Sequence, residues 1–332
     1  MAKSKKKRKI IIIVITVILV LLIAAYFFAA NFLVSACLVP SFMEKLDAFE
    51  EITVESYAQQ VQTDSLKENQ RELTASANEW FEGSDPEKIS VVTEDGYTLI
   101  ASLVRGDTNN WALVLHGYTG WKEEMYMFAQ FYNEMGFNVI VPDLRCQGES
   151  EGDFIGMGYT DSSDCMLWLD YILSEDPDAE IILHGQSMGA ATALIMSGRE
   201  DLPSNVKAVV SDSSYTDAYS MFENKLNEWF HIPAFPIIDT SCLMLRIRGG
   251  YDLKKASAIN AVKNSSTPTL FIHGTEDAMI PVSHAYELYD AAACEKELYI
   301  VENAGHGQTQ DVDPEAYFDT IAEFCGLRSR LS

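Results

Sequence analysis

From residue 111 onward, short unbroken apolar runs alternate with stretches of helical length, and few folds accommodate that order. The runs fall at 111–115, 138–142, 180–183, 206–210, 269–272 and 297–301. Each is strand-length and lacks the polar alternation of a half-exposed strand, which suits strands covered on both faces. Helical stretches at about 123–135, 161–173, 190–197, 284–293 and 316–324 separate them. This order predicts an α/β fold with a mostly parallel central sheet and helices on both faces. Ahead of it, residues 89–92 and 97–104 are β-rich and flank Glu94-Asp95-Gly96, a hairpin signal.

The alternation breaks at about 215–264. Phe222, Trp229, Phe230, Phe235, Ile237, Leu243 and Leu245 mix there with Pro233 and Pro236. An insert between one strand's end and the next strand can lie over the carboxyl edge of the sheet, where open α/β sheets bind ligands. It is read as a small cap whose aromatics contribute an apolar pocket.

The N-terminus has a different solvent in view. Residues 10–30 carry no charge, and Thr16 and Tyr26 are the polar interruptions. About 20 such residues cross a hydrocarbon core as a helix. The run exceeds the roughly 7–15 apolar residues of a cleaved signal peptide. Val34-Ser35-Ala36-Cys37 resembles a lipoprotein cleavage box with Cys37 as the lipid-bearing residue, although it lies far along the chain for one. Lys3, Lys5, Lys6, Lys7, Arg8 and Lys9 precede the apolar run, which predicts a cytoplasmic tail and an extracytoplasmic domain at the cell membrane. The expected organisation is a tail over 1–9, a single-pass transmembrane anchor over 10–36, a helical stalk or packing segment over 37–85, and the α/β domain over 86–332. Within the stalk, Phe42, Leu46, Phe49, Tyr57, Val61 and Leu66 supply the apolar spacing.

Charge narrows the partners. The chain has 24 basic and 49 acidic residues, a net charge of −25, and six of its bases lie in the first nine residues. So acidic a domain repels nucleic acid, and it disfavours anionic substrates. Of the six cysteines, no two have CxxC spacing and none stands at metal-ligand spacing from a histidine, so neither zinc nor a disulfide framework is expected.

The chemistry centres on Gly185-Gln186-Ser187-Met188-Gly189, which follows the run at 181–183 and precedes a helical stretch. A serine hydroxyl is a poor nucleophile unless a sharp turn exposes it beside a base, and flanking glycines permit that turn. Two later runs end in loops bearing the other groups: His273-Gly274-Thr275-Glu276-Asp277 and Asn303-Ala304-Gly305-His306-Gly307. His306 is the one histidine after the last run. Glu276 and Asp212 are alternative acids to Asp277. His116, His184 and His273 precede glycines at strand ends and are read as loop-shaping, His284 as a surface or capping residue, and Cys146 as a buried thiol.

Over about residues 88–326 these motifs, in this order, resemble the α/β-hydrolase superfamily, in particular its serine esterase and peptidase-like members. His116-Gly117-Tyr118-Thr119-Gly120 resembles the family's oxyanion loop. The run from Asp143 through Ser150 resembles its DxRGxGxS turn, with Cys146 in place of a usual glycine and Gln147 in place of a frequent histidine. The resemblance implies Ser187 as nucleophile, His306 as general base and Asp277 as orienting acid through the family's HGxxD spacing. It also implies backbone N–H groups of Tyr118 and Met188 as the oxyanion hole, with no cofactor or metal. The expected activity is hydrolysis of small-molecule acyl esters. An aminopeptidase-like activity, or a non-catalytic binding module on the same scaffold, is the alternative.

Overall fold

A computed structural model describes residues 2–45, 63–231 and 233–327. An eight-stranded sheet organises the chain: β1 (Glu87–Val92), β2 (Thr98–Val104), β3 (Asn110–Leu115), β4 (Asn138–Pro142), β5 (Glu180–Gln186), β6 (Val206–Asp212), β7 (Thr269–Gly274) and β8 (Lys296–Val301). The spatial order is β1-β2-β4-β3-β5-β6-β7-β8. The β1–β2 hairpin and the β2–β4 pair are antiparallel, and every pair from β4 to β8 is parallel.

The apolar runs are explained by what covers them. Trp111, Leu113 and Leu115 of β3 pack into one buried cluster with Trp168, Leu169 and Ile172 of α5 (Tyr159–Glu175) and Ala191 and Leu194 of α6 (Met188–Ser197). Their neighbours Ala112 and Val114 face the other layer, with Phe128, Phe131 and Tyr132 of α4 (Tyr126–Glu134) and Tyr317 and Ile321 of α12 (Pro314–Phe324). Both faces are thus dry, and a strand buried twice has no polar positions to alternate. The short helices α9 (Ala258–Ala261) and α11 (Thr309–Val312) and the longer α10 (Ser283–Ala291) complete the connections.

At the N-terminus, α1 is a single helix from Ala2 through Leu38. Its central stretch is long and apolar enough to cross a membrane, with none of it buried against protein. Its last turns behave otherwise. Ala30, Val34 and Leu38 are buried, followed by Met43 at the end of α2 (Pro40–Met43). Burial of side chains the size of Val, Leu and Met contributes roughly 1.5–3 kcal/mol each, so the helix end is docked into the domain. Leu46, Phe49, Tyr57 and Val61 lie outside the described residues. Beyond them α3 (Asp64–Gly83) starts on Thr63, whose hydroxyl accepts from the Leu66 amide. It lies along α4, where Phe81 stacks on Tyr126 at 3.8 Å between ring centroids.

The interruption at 215–264 is dominated by two longer helices, α7 (Ala218–Phe230) and α8 (Ala234–Arg248), followed by a 3-10 turn (Leu253–Lys255) and the short α9, between β6 and β7. Leu226, Ile238, Cys242 and Leu245 are buried in the cluster on the α5–α6 side. Phe235 is 75% exposed, so this aromatic faces away from any pocket. All six cysteines are free thiols.

Candidate active site

The turn between β5 and α6 is a tight crossing of three backbones. A Cβ on Gly185 would overlap the backbone of Gly189 and Ala190, and one on Gly189 would overlap the Leu115 carbonyl of β3. Only glycine permits that approach. Between them Ser187 adopts φ 55° and ψ −116°, a conformation costing about 1–3 kcal/mol for a side-chain-bearing residue. The surroundings impose it: the Ser187 amide donates to the Asp212 carbonyl at the end of β6 (2.8 Å), and its carbonyl accepts from Ala191 in the first turn of α6 (3.0 Å). The hydroxyl consequently stands out at the carboxyl edge of the sheet.

The loops after β7 and β8 deliver the other two groups and are tied to one another. The Glu276 amide donates to the Ala304 carbonyl (2.9 Å), the Thr275 amide to Val301 (3.0 Å), and the Asn303 amide to the Thr275 hydroxyl (2.9 Å). The result is a chain of three side chains. Ser187 Oγ lies 2.9 Å from His306 Nε2, and His306 Nδ1 lies 2.7 Å from Asp277 Oδ2. The second carboxylate oxygen accepts from the amides of Met279 (2.9 Å) and Ile280 (2.7 Å). Burial disfavours charge on both partners, yet the ion pair outweighs it. His306 is held above its ordinary value by Asp277, and Asp277 is held far below the usual carboxylate range by His306 and His273.

Each sequence alternative has another occupation. Asp212 is buried beneath the site, accepting from Thr309 Oγ1 (2.6 Å) and Tyr317 Oη (3.0 Å). Burial raises its carboxyl. Glu276 follows β7 with its amide in the loop tie described above. His116 accepts from the Leu144 amide through Nε2 (2.9 Å), joining the loops after β3 and β4. His184 sits between Tyr132 and Tyr317 in the core, and burial lowers it to about 3. His284 Nδ1 accepts from the Thr216 amide at the start of the cap (3.1 Å). Cys146 takes φ 56° where the resembling turn usually has glycine, and burial together with nearby carboxylates raises its thiol.

Gly117 packs against Ser187: a Cβ there would stand 3.8 Å from Ser187 Oγ. Tyr118 is the next residue, and Met188 opens α6 directly after the serine. The acidic turn after β4 braces this loop, with the Asp143 carboxylate accepting from the Lys122 amide (2.9 Å) and pairing with its ammonium (2.7 Å). Two further side chains support the loop that carries Asp277. His273 Nε2 donates to the Ile280 carbonyl (2.7 Å) and lies 3.2 Å from Asp277 Oδ2. Lys225 of the cap donates to the Ala278 carbonyl (3.0 Å), fastening α7 to the loop that carries the acid. The HGxxD spacing holds a signal for His273; nothing local marks Lys225. The described residues contain no cluster of ligating side chains suited to a metal ion.

Known proteins give this geometry a context. A family model described as the alpha/beta hydrolase fold matches residues 110–246. An uncharacterized protein of Bacillus subtilis, YqkD, is 27% identical over 219 residues, covering 66% of this chain and 72% of its own. A lysophosphatidylserine lipase of Danio rerio is 26% identical over 199 residues, covering 56% of this chain and 48% of its own. Among solved structures, an esterase of Pyrococcus furiosus superposes with a TM-score of 0.59 at 22% identity, over 73% of this chain and 92% of the esterase.

Proposed function

We propose, for a chain that belongs to the α/β-hydrolase superfamily, the activity of a serine hydrolase that cleaves acyl esters through an acyl-enzyme. The observation carrying this reading is the continuous hydrogen-bonded path from Ser187 through His306 to Asp277. His306 Nε2 takes the hydroxyl proton as Ser187 Oγ bonds to the acyl carbon, and the carbonyl oxygen becomes an oxyanion. Asp277 keeps the second imidazole proton on Nδ1 and stabilises the cation. The N–H groups of Tyr118 and Met188 receive the oxyanion, helped by the positive end of α6. Collapse expels the alkoxide, which leaves with the proton from His306. Water, deprotonated by the same imidazole, then releases the acid and regenerates Ser187.

The lysophosphatidylserine lipase among the relatives supports ester hydrolysis. The acidic surface favours neutral over anionic esters. The apolar stretch of α1 supports a membrane-anchored chain, and the basic tail supports the orientation with that tail in the cytoplasm and the catalytic domain outside. Replacement Ser187→Ala tests the activity. It removes covalent labelling by a fluorophosphonate and lowers turnover of p-nitrophenyl butyrate by at least ~10³-fold. Labelling that survives the replacement overturns the assignment.

A further inference from the structure

We propose that cap helix α8 is a second membrane-seated element, lying beside α1 in the edge of the bilayer and bringing the mouth of the catalytic cleft to the lipid–water boundary, where an uncharged monoacyl ester enters from the lipid phase. This rests on reading α1 as a membrane span.

Three sets of contacts fix α8 against α1. Tyr26 Oη and Thr240 Oγ1 are 2.6 Å apart, and Ser241 Oγ donates to the Ala30 carbonyl (3.1 Å). Arg248 Nη1 donates to Asn31 Oδ1 (3.0 Å) and Ser35 Oγ (2.9 Å). Along both chains the contacts advance in the same direction, so the helices run side by side and parallel. Tyr26 and Ala30 belong to the uncharged apolar run. The start of α8 therefore reaches past the level of Tyr26 toward the bilayer interior: its regular turns extend back to Pro236, about 6 Å beyond Thr240 at 1.5 Å per residue, before the backbone leaves helical geometry at Phe235 (ψ 133°).

The side chains along that path suit lipid. Phe235 is 75% exposed, Ile247 69% and Leu243 47%, with Leu243 and Ile247 one helical turn apart on one face. On α1, Phe27, Phe28 and Phe32 are exposed as well. An apolar surface continuous with a membrane span has the bilayer as its natural cover. Charge falls in the matching order. Arg246 and Arg248 occupy the last turn of α8, level with Asn31–Ser35 and so at the height where headgroups begin, Arg246 paired with Asp252 and Arg248 with α1. Asp239, the acid on α8, is held toward the domain by Lys254 Nζ (2.7 Å) and Tyr219 Oη (3.3 Å).

The anchor and the other cap helix, α7, also touch the loops of the site. Tyr118 Oη donates to the Cys37 carbonyl as α1 ends (2.5 Å), and Lys225 of α7 holds the loop of Asp277 through Ala278. The cleft is thus bordered by the membrane helix on its oxyanion side and by the cap on its acid side. A substrate whose acyl chain is already in lipid has its ester group at that level.

The test uses the full chain in phosphatidylcholine vesicles. Phe235→Trp and Ile247→Trp are compared with Lys207→Trp, an exposed position at the start of β6, at the opposite end of the sheet. Lipids brominated on the acyl chains should quench the added fluorescence of the first two variants, most strongly at 235, and leave the third at the wild-type level. Equal signals from all three, in vesicles that keep the protein through an alkaline wash, overturn the proposal while leaving the anchor standing. Release by that wash overturns the anchor and the proposal together. Unquenched variants whose added tryptophans are shielded in a dimer make this face a contact between copies, which also overturns it. Leu243→Asp, one turn deeper than the arginines, should lower hydrolysis of 1-oleoylglycerol in vesicles by ~10-fold or more, since a carboxylate is costly in hydrocarbon, and leave p-nitrophenyl butyrate turnover unchanged. Equal effects on the two esters contradict lateral entry. The quenching does not depend on turnover, so inactivity toward both esters alongside strong quenching counts against the proposed activity and for the seating.

Discussion

Replacing Asp277 by Asn isolates what the buried acid contributes, because the shape of the site survives the change. One side-chain oxygen can keep the Met279 and Ile280 amides at 2.9 and 2.7 Å. The group facing His306 Nδ1 at 2.7 Å then becomes an amide N–H in place of a carboxylate oxygen. Nδ1 must accept, so the imidazole proton moves to Nε2 and points at Ser187 Oγ, where a base is needed. The same replacement in a Ser-His-Asp triad lowers turnover by about 10⁴-fold, equivalent to about 5 kcal/mol of transition-state stabilisation. Loss of a charge-assisted hydrogen bond should destabilise the fold by about 1.5–3 kcal/mol. That stabilisation belongs to a carboxyl whose folded pKa is depressed, so it is present above the unfolded value and fades as pH falls toward the folded one. The assay is steady-state hydrolysis of p-nitrophenyl butyrate alongside thermal melting at pH 7. An Asp277→Asn protein that melts cooperatively and retains activity within ~10-fold of the parent would falsify the assignment of the acid, given the magnitude expected for the wrong tautomer. A ~10⁴-fold loss in Asp212→Asn would then move the role to the acid beneath the site.

The remaining predictions concern pH and orientation. His306 is held above its ordinary value because the Asp277 carboxylate overcomes burial, and catalysis needs the neutral imidazole, so the acid limb of kcat/KM should have its midpoint above about 6.5. In Asp277→Asn the opposing burial is no longer offset by that carboxylate and the midpoint should fall; a limb that stays in place separates it from His306. Protease added to right-side-out vesicles should digest the catalytic domain and spare the basic tail, and protection of the domain would reverse the orientation.

The linear order of residues determined the secondary structure and the identities of the chemical groups, for local reasons. Runs such as 111–115 are apolar throughout because strands covered twice have no wet face, and Gly185 and Gly189 flank Ser187 because three backbones cross there. Those demands act on neighbouring residues, so they leave marks in the sequence. Ser187, proposed as nucleophile, and the one histidine after β8 are legible for the same reason. The acid is less so, because Asp277 and Asp212 both follow strands; distance alone joins Asp277 to His306 and commits Asp212 to Thr309 and Tyr317. The relation between anchor and cap belongs entirely to tertiary structure. Tyr26 meets Thr240 across 214 positions, and Tyr118 reaches Cys37 across 81. No periodicity encodes such pairings, since they arise when a helix end with an apolar side finds the one surface that can bury Ala30, Val34 and Leu38.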